Sequence, residues 1–161
     1  MKRLALAALL ALSGCPEPEP ESRCGPRTGV VANIVDGDTI DLEDGTRLRL
    51  LLVDAPEITS GKDDCYGQEA AAYTRLKLLG QEVSLAYDEA GCADRYGRTL
   101  AYVSVGELEV NRELVKRGLA CDLHISPAGD DRAEEFEGYE SVARNERTGM
   151  WGVCTDIPCS E

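Results

Sequence analysis

One histidine, His124, stands in 161 residues, and none of the seven cysteines forms a C-x-x-C pair. A zinc site built on the usual thiolate and imidazole spacings therefore has no support. The same lone His, with no G-x-S-x-G stretch, leaves nothing from which to build a serine or cysteine hydrolase triad. Long apolar runs are missing too. The one near the N-terminus, Leu4 to Leu12, is too short to cross a bilayer. Positive charge is scarce, with 17 Lys and Arg against 30 Asp and Glu and a formal charge of −13. A field of that sign repels polyanions, which excludes a protein that grips nucleic acid non-specifically by neutralising many phosphates. There is no internal repeat and no second block of composition, so one domain with a real core is the expectation.

Lys2 and Arg3, the apolar run and the small residues after it have the build of a secretory signal peptide. The ending Leu12-Ser13-Gly14-Cys15 resembles the lipobox of bacterial lipoproteins, which implies acylation of Cys15 as the first mature residue. Pro and Glu then alternate to Ser22, a composition that stays extended and stiff. The expected organisation is a lipoprotein signal peptide over 1–14, a lipidated Cys15 and tether over 15–23, one domain over 24–153 and a Cys-bearing tail over 154–161. The chain is thus expected to be exported and lipid-anchored to a bacterial membrane, facing the periplasm or the cell surface. Loss of residues 1–14 removes two cations and no acid, leaving 15 basic and 30 acidic residues and a charge of −15. Six cysteines remain for disulfides: Cys24, Cys65, Cys92, Cys121, Cys154 and Cys159. Fifteen pairings are possible. Cys65, opening a helix, and Cys92, in the loop leading to Arg98, are expected to bond, with Cys154–Cys159 and Cys24–Cys121 as the remainder.

The chain is organised around Ile34 to Glu57, where aliphatic and β-branched residues alternate about Asp44-Gly45-Thr46 as in a hairpin. Carboxylates sit at both ends. A folded hairpin would bring Asp38, Asp54 and Glu57 together beside Arg49. Three carboxylates held close require a cation, and without Cys or His among them they favour Ca²⁺ or Mg²⁺.

Further on, Tyr66 to Leu79 is expected to be a helix with Ala72, Leu76 and Leu79 on its core face. Glu82–Tyr87, Thr99–Val105 and Leu119–Ile125 read as strands. Asn111 would cap a short helix to Arg117, and a last helix runs from about Asp131 to Arg147. Met150 and Trp151 are expected to pack back on the body. About five short strands with a helix inserted among them suggest a small closed barrel of the OB type with helices, an α+β arrangement of five strands and about three helices.

Five segments recur in a telling order: D-G-D-T at Asp36, R-L-L-L-V-D-A-P-E at Arg49, Y-G-Q-E-A at Tyr66, D-R-Y-G-R-T-L-A-Y at Asp94, and N-R-E-L-V-K-R-G-L-A at Asn111. Together they resemble the staphylococcal (thermonuclease) nuclease family over about Thr28 to Trp151. That resemblance implies an OB barrel and Ca²⁺-dependent hydrolysis of DNA and RNA to 3′-phosphate ends. It places the family's calcium ligands on Asp38, Asp54 and the backbone carbonyl of Ala55, its glutamate on Glu57 and its phosphate-binding arginines on Arg49 and Arg98. Tyr96 matches the tyrosine beside the nucleotide, Arg95 precedes it at the substrate, and His124 falls where the family has a second tyrosine. The chemistry suits these residue types: a base for water, a cation and guanidinium donors for phosphate oxygens. Single strands are the expected substrate form, and a monomer the expected state. Two other readings compete, a non-catalytic OB module binding nucleic acid or a partner and a Ca²⁺-stabilised structural lipoprotein.

Overall fold

The computed structural model describes residues 22–159. The expected signal segment, Cys15 and nearly all of the expected tether lie outside the described residues.

Strands β1 (Thr28–Ile34), β2 (Thr39–Leu42), β3 (Arg47–Leu50), β4 (Glu82–Ala86) and β5 (Thr99–Val105) run in the order β3-β2-β1-β4-β5. β3 then pairs in parallel with β5, Leu48 opposite Thr99 and Leu50 opposite Ala101, which closes the ring. The result is the expected OB-type barrel, five-stranded and mixed, with no long free edge. A two-residue strand β6 (Leu108–Glu109) pairs antiparallel with the end of β5. The helices are α1 (Gly67–Leu78), α2 (Val110–Lys116) and α3 (Ala133–Asn145), followed by a single turn α4 (Met150–Val153). Alternation along β4 turns Val83 and Leu85 inward to meet Ile40, Leu48, Leu50 and Val103, all buried. Phe136 of α3 and Met150 of α4 are wholly buried, so the last helix and the turn after it do pack back on the body.

Four details depart from the sequence reading. On α1, Leu76 and Leu79 are 78% and 40% exposed, while Gly67, Ala70, Ala71, Thr74 and Leu78 face the core. The helix approaches too closely for bulk there: a Cβ on Gly67 would lie 2.5 Å from an Ile58 methyl and 2.9 Å from the Pro56 carbonyl oxygen. Asn111 is not a cap. Its amide donates to the carbonyls of Leu51 (2.9 Å) and Ala101 (3.0 Å), and its Oδ1 accepts from the Val103 N–H (2.9 Å), all in the core. Leu119–Ile125 is no strand: Cys121 makes one bridge with Asp54, and the Asp122 N–H then turns to the Glu140 carboxylate. The barrel's further strand is β1, whose Gly29 and Asn33 break the apolar alternation and whose pairing with β2 carries an irregularity between Val31 and Asn33.

The disulfides are Cys24–Cys92, Cys65–Cys154 and Cys121–Cys159, with Cα separations of 4.9, 6.0 and 6.1 Å. The expected set, Cys65–Cys92, Cys154–Cys159 and Cys24–Cys121, is therefore corrected in every pair. Register explains the first correction. β1 runs antiparallel to β4 with Thr28 opposite Ser84, so the chain before β1 is carried to the loop after β4, where Arg23 also meets Glu89 at 2.9 Å. Three disulfides fit export to an oxidising compartment.

Asn111 satisfies the Val103 N–H and the Leu51 carbonyl, and adds a second bond to the Ala101 carbonyl, which also accepts the Leu51 N–H. Replacing it with Ala leaves the first two buried and unpaired, and each such group costs on the order of 1–3 kcal/mol. Urea unfolding of Asn111→Ala should show a loss of about 2 kcal/mol or more, and a loss below about 1 kcal/mol would contradict this role.

Candidate active site

The turn before β2 is fixed by small residues and short hydrogen bonds. Gly37 sits where a Cβ would come within 2.6 Å of the Ala55 Cβ and 2.8 Å of the Ala70 Cβ. Thr74 of α1 donates its hydroxyl to the Gly37 carbonyl at 2.6 Å. Only glycine fits between the two aspartates. Asp36 Oδ1 accepts the Asp38 N–H at 3.0 Å, and Asp38 then accepts the Thr39 hydroxyl on Oδ1 (3.0 Å) and the Ala55 N–H on Oδ2 (2.6 Å). The first half of the hairpin is thereby joined to the loop that follows the second half.

That loop turns sharply. Leu52 is buried at φ 60°, a left-handed conformation that costs a residue with a Cβ about 1–2 kcal/mol. The turn lets Arg49 of β3 donate Nη1 to the carbonyls of Leu50 (3.1 Å) and Val53. Its Nη2 lies 3.2 Å from Asp38 Oδ2 and 3.1 Å from Asp54 Oδ1. Two carboxylates thus converge on one positive nitrogen. Burial pushes the Asp38 carboxyl up to about 7, against the lowering effect of Arg49 and with a further push from Asp36. Three residues past Asp54, Glu57 accepts the Thr59 hydroxyl (2.5 Å) and N–H (2.8 Å) on Oε1. The Thr59 hydroxyl bond leads in holding this carboxyl below the ordinary glutamate range, so it is ionised at neutral pH.

The opposite wall is the D-R-Y-G-R turn, closed by Gly97 at φ 80°. Asp94 Oδ1 accepts the N–H groups of Tyr96 (2.9 Å) and Arg98 (3.0 Å), and its Oδ2 holds the Arg98 Nε at 2.6 Å. The guanidinium carbons of Arg95 and Arg98 lie 4.8 and 5.4 Å from the Tyr96 ring centroid. Tyr96 itself is 69% exposed, with both cations over its ring. On the third side, His124 Nε2 meets Asp130 Oδ1 at 2.6 Å, and Ser126 donates to the other oxygen of Asp130 at 3.2 Å.

All nine residues expected at the site line one open cleft of about 980 Å³. Arg47 lies outside the cleft, paired with Asp41 at 2.6 Å. Several contributors escaped the sequence reading. Asp36 and Lys62 line the cleft, and Thr59 and Thr74 position the residues that do. Asp36 had a visible signal in V-D-G-D. The two threonines had none, because their partners are known only once the loop is folded. The cleft's own charge is unbalanced: Asp36, Asp38, Asp54, Glu57, Asp64 and Asp94 face Arg49, Lys62, Arg95 and Arg98. Among the described residues no three His, Cys, Asp or Glu side chains are grouped to hold a metal ion, so the expected meeting of Asp38, Asp54 and Glu57 is corrected: the two aspartates meet at Arg49, and Glu57 bonds to Thr59.

Residues 47–153 match the family of staphylococcal nuclease homologues. The chain belongs to the staphylococcal nuclease family. By that membership it is a nuclease, a phosphodiesterase. It is 42% identical over 135 residues to a thermonuclease of Staphylococcus hyicus, covering 81% of this chain and 79% of that one. A Bacillus anthracis protein without an assigned role is 34% identical over 130 residues, 78% of this chain and 61% of its own length. The SPbeta prophage-derived endonuclease YokF of Bacillus subtilis (strain 168) is 32% identical over 131 residues, 76% of this chain and 44% of its own. The chain therefore spans between under half and about four fifths of these relatives. In family terms, both walls of the cleft fall within the matched residues except the D-G-D-T turn, which precedes them.

Near His124, burial raises the Asp122 carboxyl to about 6, with Glu140 and Glu137 adding to the rise and His124 opposing it. A carboxyl whose folded pKa is raised contributes stability that is full below its unfolded value of about 3.9 and is lost as pH rises through about 6. Asp122→Asn should therefore be more stable than the parent chain at pH 8, and the difference should shrink as pH falls from 6 toward 4. Thermal unfolding across that range measures it, and a difference that does not change with pH would contradict the assignment.

Proposed function

We propose that this cleft hydrolyses phosphodiester bonds in DNA and RNA, single strands above all, with Ca²⁺, leaving 3′-phosphate ends. The exported chain would act as a monomer held at a bacterial membrane through lipidated Cys15. The observation that carries the reading is the convergence of Asp38 and Asp54 on one positive point, with Glu57 on the same loop and Arg98 on the facing wall.

The donor set suits the ion. Carboxylates and a main-chain carbonyl are hard oxygen ligands, the kind that Ca²⁺ accepts in flexible geometry and that Mg²⁺ accepts only near an ideal octahedron. Asp38, Asp54 and the Ala55 carbonyl would hold Ca²⁺, which when bound would supply positive charge against the phosphate. An excess of carboxylates in the cleft supports the same conclusion, since without added positive charge it repels the substrate.

The chain's own groups divide the remaining work. Glu57, ionised and fixed by Thr59, orients a water molecule and takes its proton. The water oxygen bonds to phosphorus as the bond to the 5′-oxygen breaks, and that oxygen takes up a proton from solvent. Arg98, bound to Asp94 through Nε, donates its Nη N–H groups to phosphate oxygens, contacts that strengthen as charge builds in the transition state, and Arg49 would join it only when Asp38 and Asp54 release its Nη2. Tyr96 offers its exposed ring to a base, and Arg95 adds a charge beside it. His124 would stack or hydrogen-bond at the far wall.

Incubating the soluble part from Arg23 onward with single-stranded DNA, with Ca²⁺ or with a chelator, should give 3′-phosphate products with Ca²⁺ alone. Glu57→Gln should lose on the order of 10²- to 10⁴-fold in turnover. No cleavage above a Glu57→Ala, Arg98→Ala double variant would refute the reading.

The same reading separates the two arginines of the turn. Arg95→Ala should mainly weaken binding, and Arg98→Ala should mainly lower turnover. Binding to single strands should fall with salt at a log–log slope of roughly −1.5 to −3, since few phosphates are neutralised. A slope near −6, or equal turnover losses, would show that the basic residues meet the substrate elsewhere.

A further inference from the structure

The stretch Cys154–Cys159 is bonded at both ends, Cys154 to Cys65 and Cys159 to Cys121. Both anchors adjoin the same piece of chain. Cys65 follows Asp64, whose N–H donates to the Glu57 carbonyl at 2.9 Å and whose Oδ2 accepts the Glu57 N–H at 3.2 Å. Cys121 exchanges both main-chain hydrogen bonds with Asp54, at 2.9 and 2.8 Å. The segment from Asp54 to Asp64 carries Asp54, Ala55 and Glu57. Beyond its bridge at Asp54 it has no helix or strand of its own, so ties from outside must set where Glu57 stands relative to Asp54. The strap between the two anchors also reaches the substrate side, because Pro158 lines the cleft.

We propose that Cys154–Cys159 is a covalent clasp that positions the Asp54–Asp64 segment for hydrolysis, with Cys65–Cys154 and Cys121–Cys159 as its two positioning bonds. The inference rests on the nuclease reading above. Cys154 directly follows α4, whose Met150 is wholly buried, so the bond to Cys65 holds one end of the segment to the body, while the bond to Cys159 holds the strap against Cys121 beside Asp54. Releasing either bond frees Glu57 to move relative to Asp54, and misplacement of a reacting group by about 1 Å can cost up to roughly 10²-fold in rate. The two bonds hold different ends, so the two losses combine.

The test uses the full chain with single-stranded DNA and Ca²⁺, at a temperature where circular dichroism shows each variant folded. Cys65→Ser with Cys154→Ser, and separately Cys121→Ser with Cys159→Ser, should each lower kcat about tenfold with KM within about twofold. The variant lacking all four cysteines should be slower than either. Cys24→Ser with Cys92→Ser, off the clasp, should lower Tm and keep kcat. Inserting Gly-Gly between Asp156 and Ile157 slackens the hold on Cys121 with every disulfide kept, and should lower kcat about as much as Cys121→Ser with Cys159→Ser does. A kcat within twofold of the parent in the paired variants and the insertion would overturn the clasp. A parent chain that cleaves nothing would instead overturn the nuclease reading.

Discussion

The buried meeting of Arg49 with Asp38 and Asp54 is the interaction on which the rest of the molecule depends. Isolated charges in a barrel wall are costly to bury, and these survive because each has partners at hydrogen-bond distance. To bring them together the hairpin must end where the loop after β3 begins. That requires glycine at position 37, a left-handed Leu52 and the small face of α1. The barrel supplies rigidity, and the loop supplies the side chains. A site whose resting partner is a guanidinium is also one whose carboxylates are already aimed at positive charge.

The overall charge of −13 then ceases to be a paradox for a nuclease. Acids such as Glu134 and Glu137 lie on α3 outside the cleft, while four of its cations line it. Global repulsion opposes indiscriminate binding of nucleic acid, while the cleft gathers positive charge locally. Arg98 is held in place there by Asp94, which binds its Nε and its main-chain N–H.

Much of this was legible in the sequence, for physical reasons. The D-G-T turn and the alternation in β4 are local signals, so the hairpin and the barrel class could be read directly. The nine candidate site residues came from the family resemblance, and all of them line one cleft. What escaped depends on distance rather than pattern. The face of α1 is chosen by how closely the helix approaches Pro56 and Ile58, which hydrophobicity does not encode. Asn111 looks like a cap until β5 and the end of β3 are seen to need its amide. Disulfide partners are set by strand register and by the path of the tail, and neither is visible in cysteine spacing.

The central claim is that Asp38 and Asp54 form one cation site shared with Arg49, and equilibrium Ca²⁺ binding without nucleic acid tests it most directly. Titration calorimetry of the chain should show one Ca²⁺ per molecule, with binding abolished in both Asp38→Asn and Asp54→Asn. Binding that persists in those variants, or none at millimolar Ca²⁺ in the parent chain, would contradict the account.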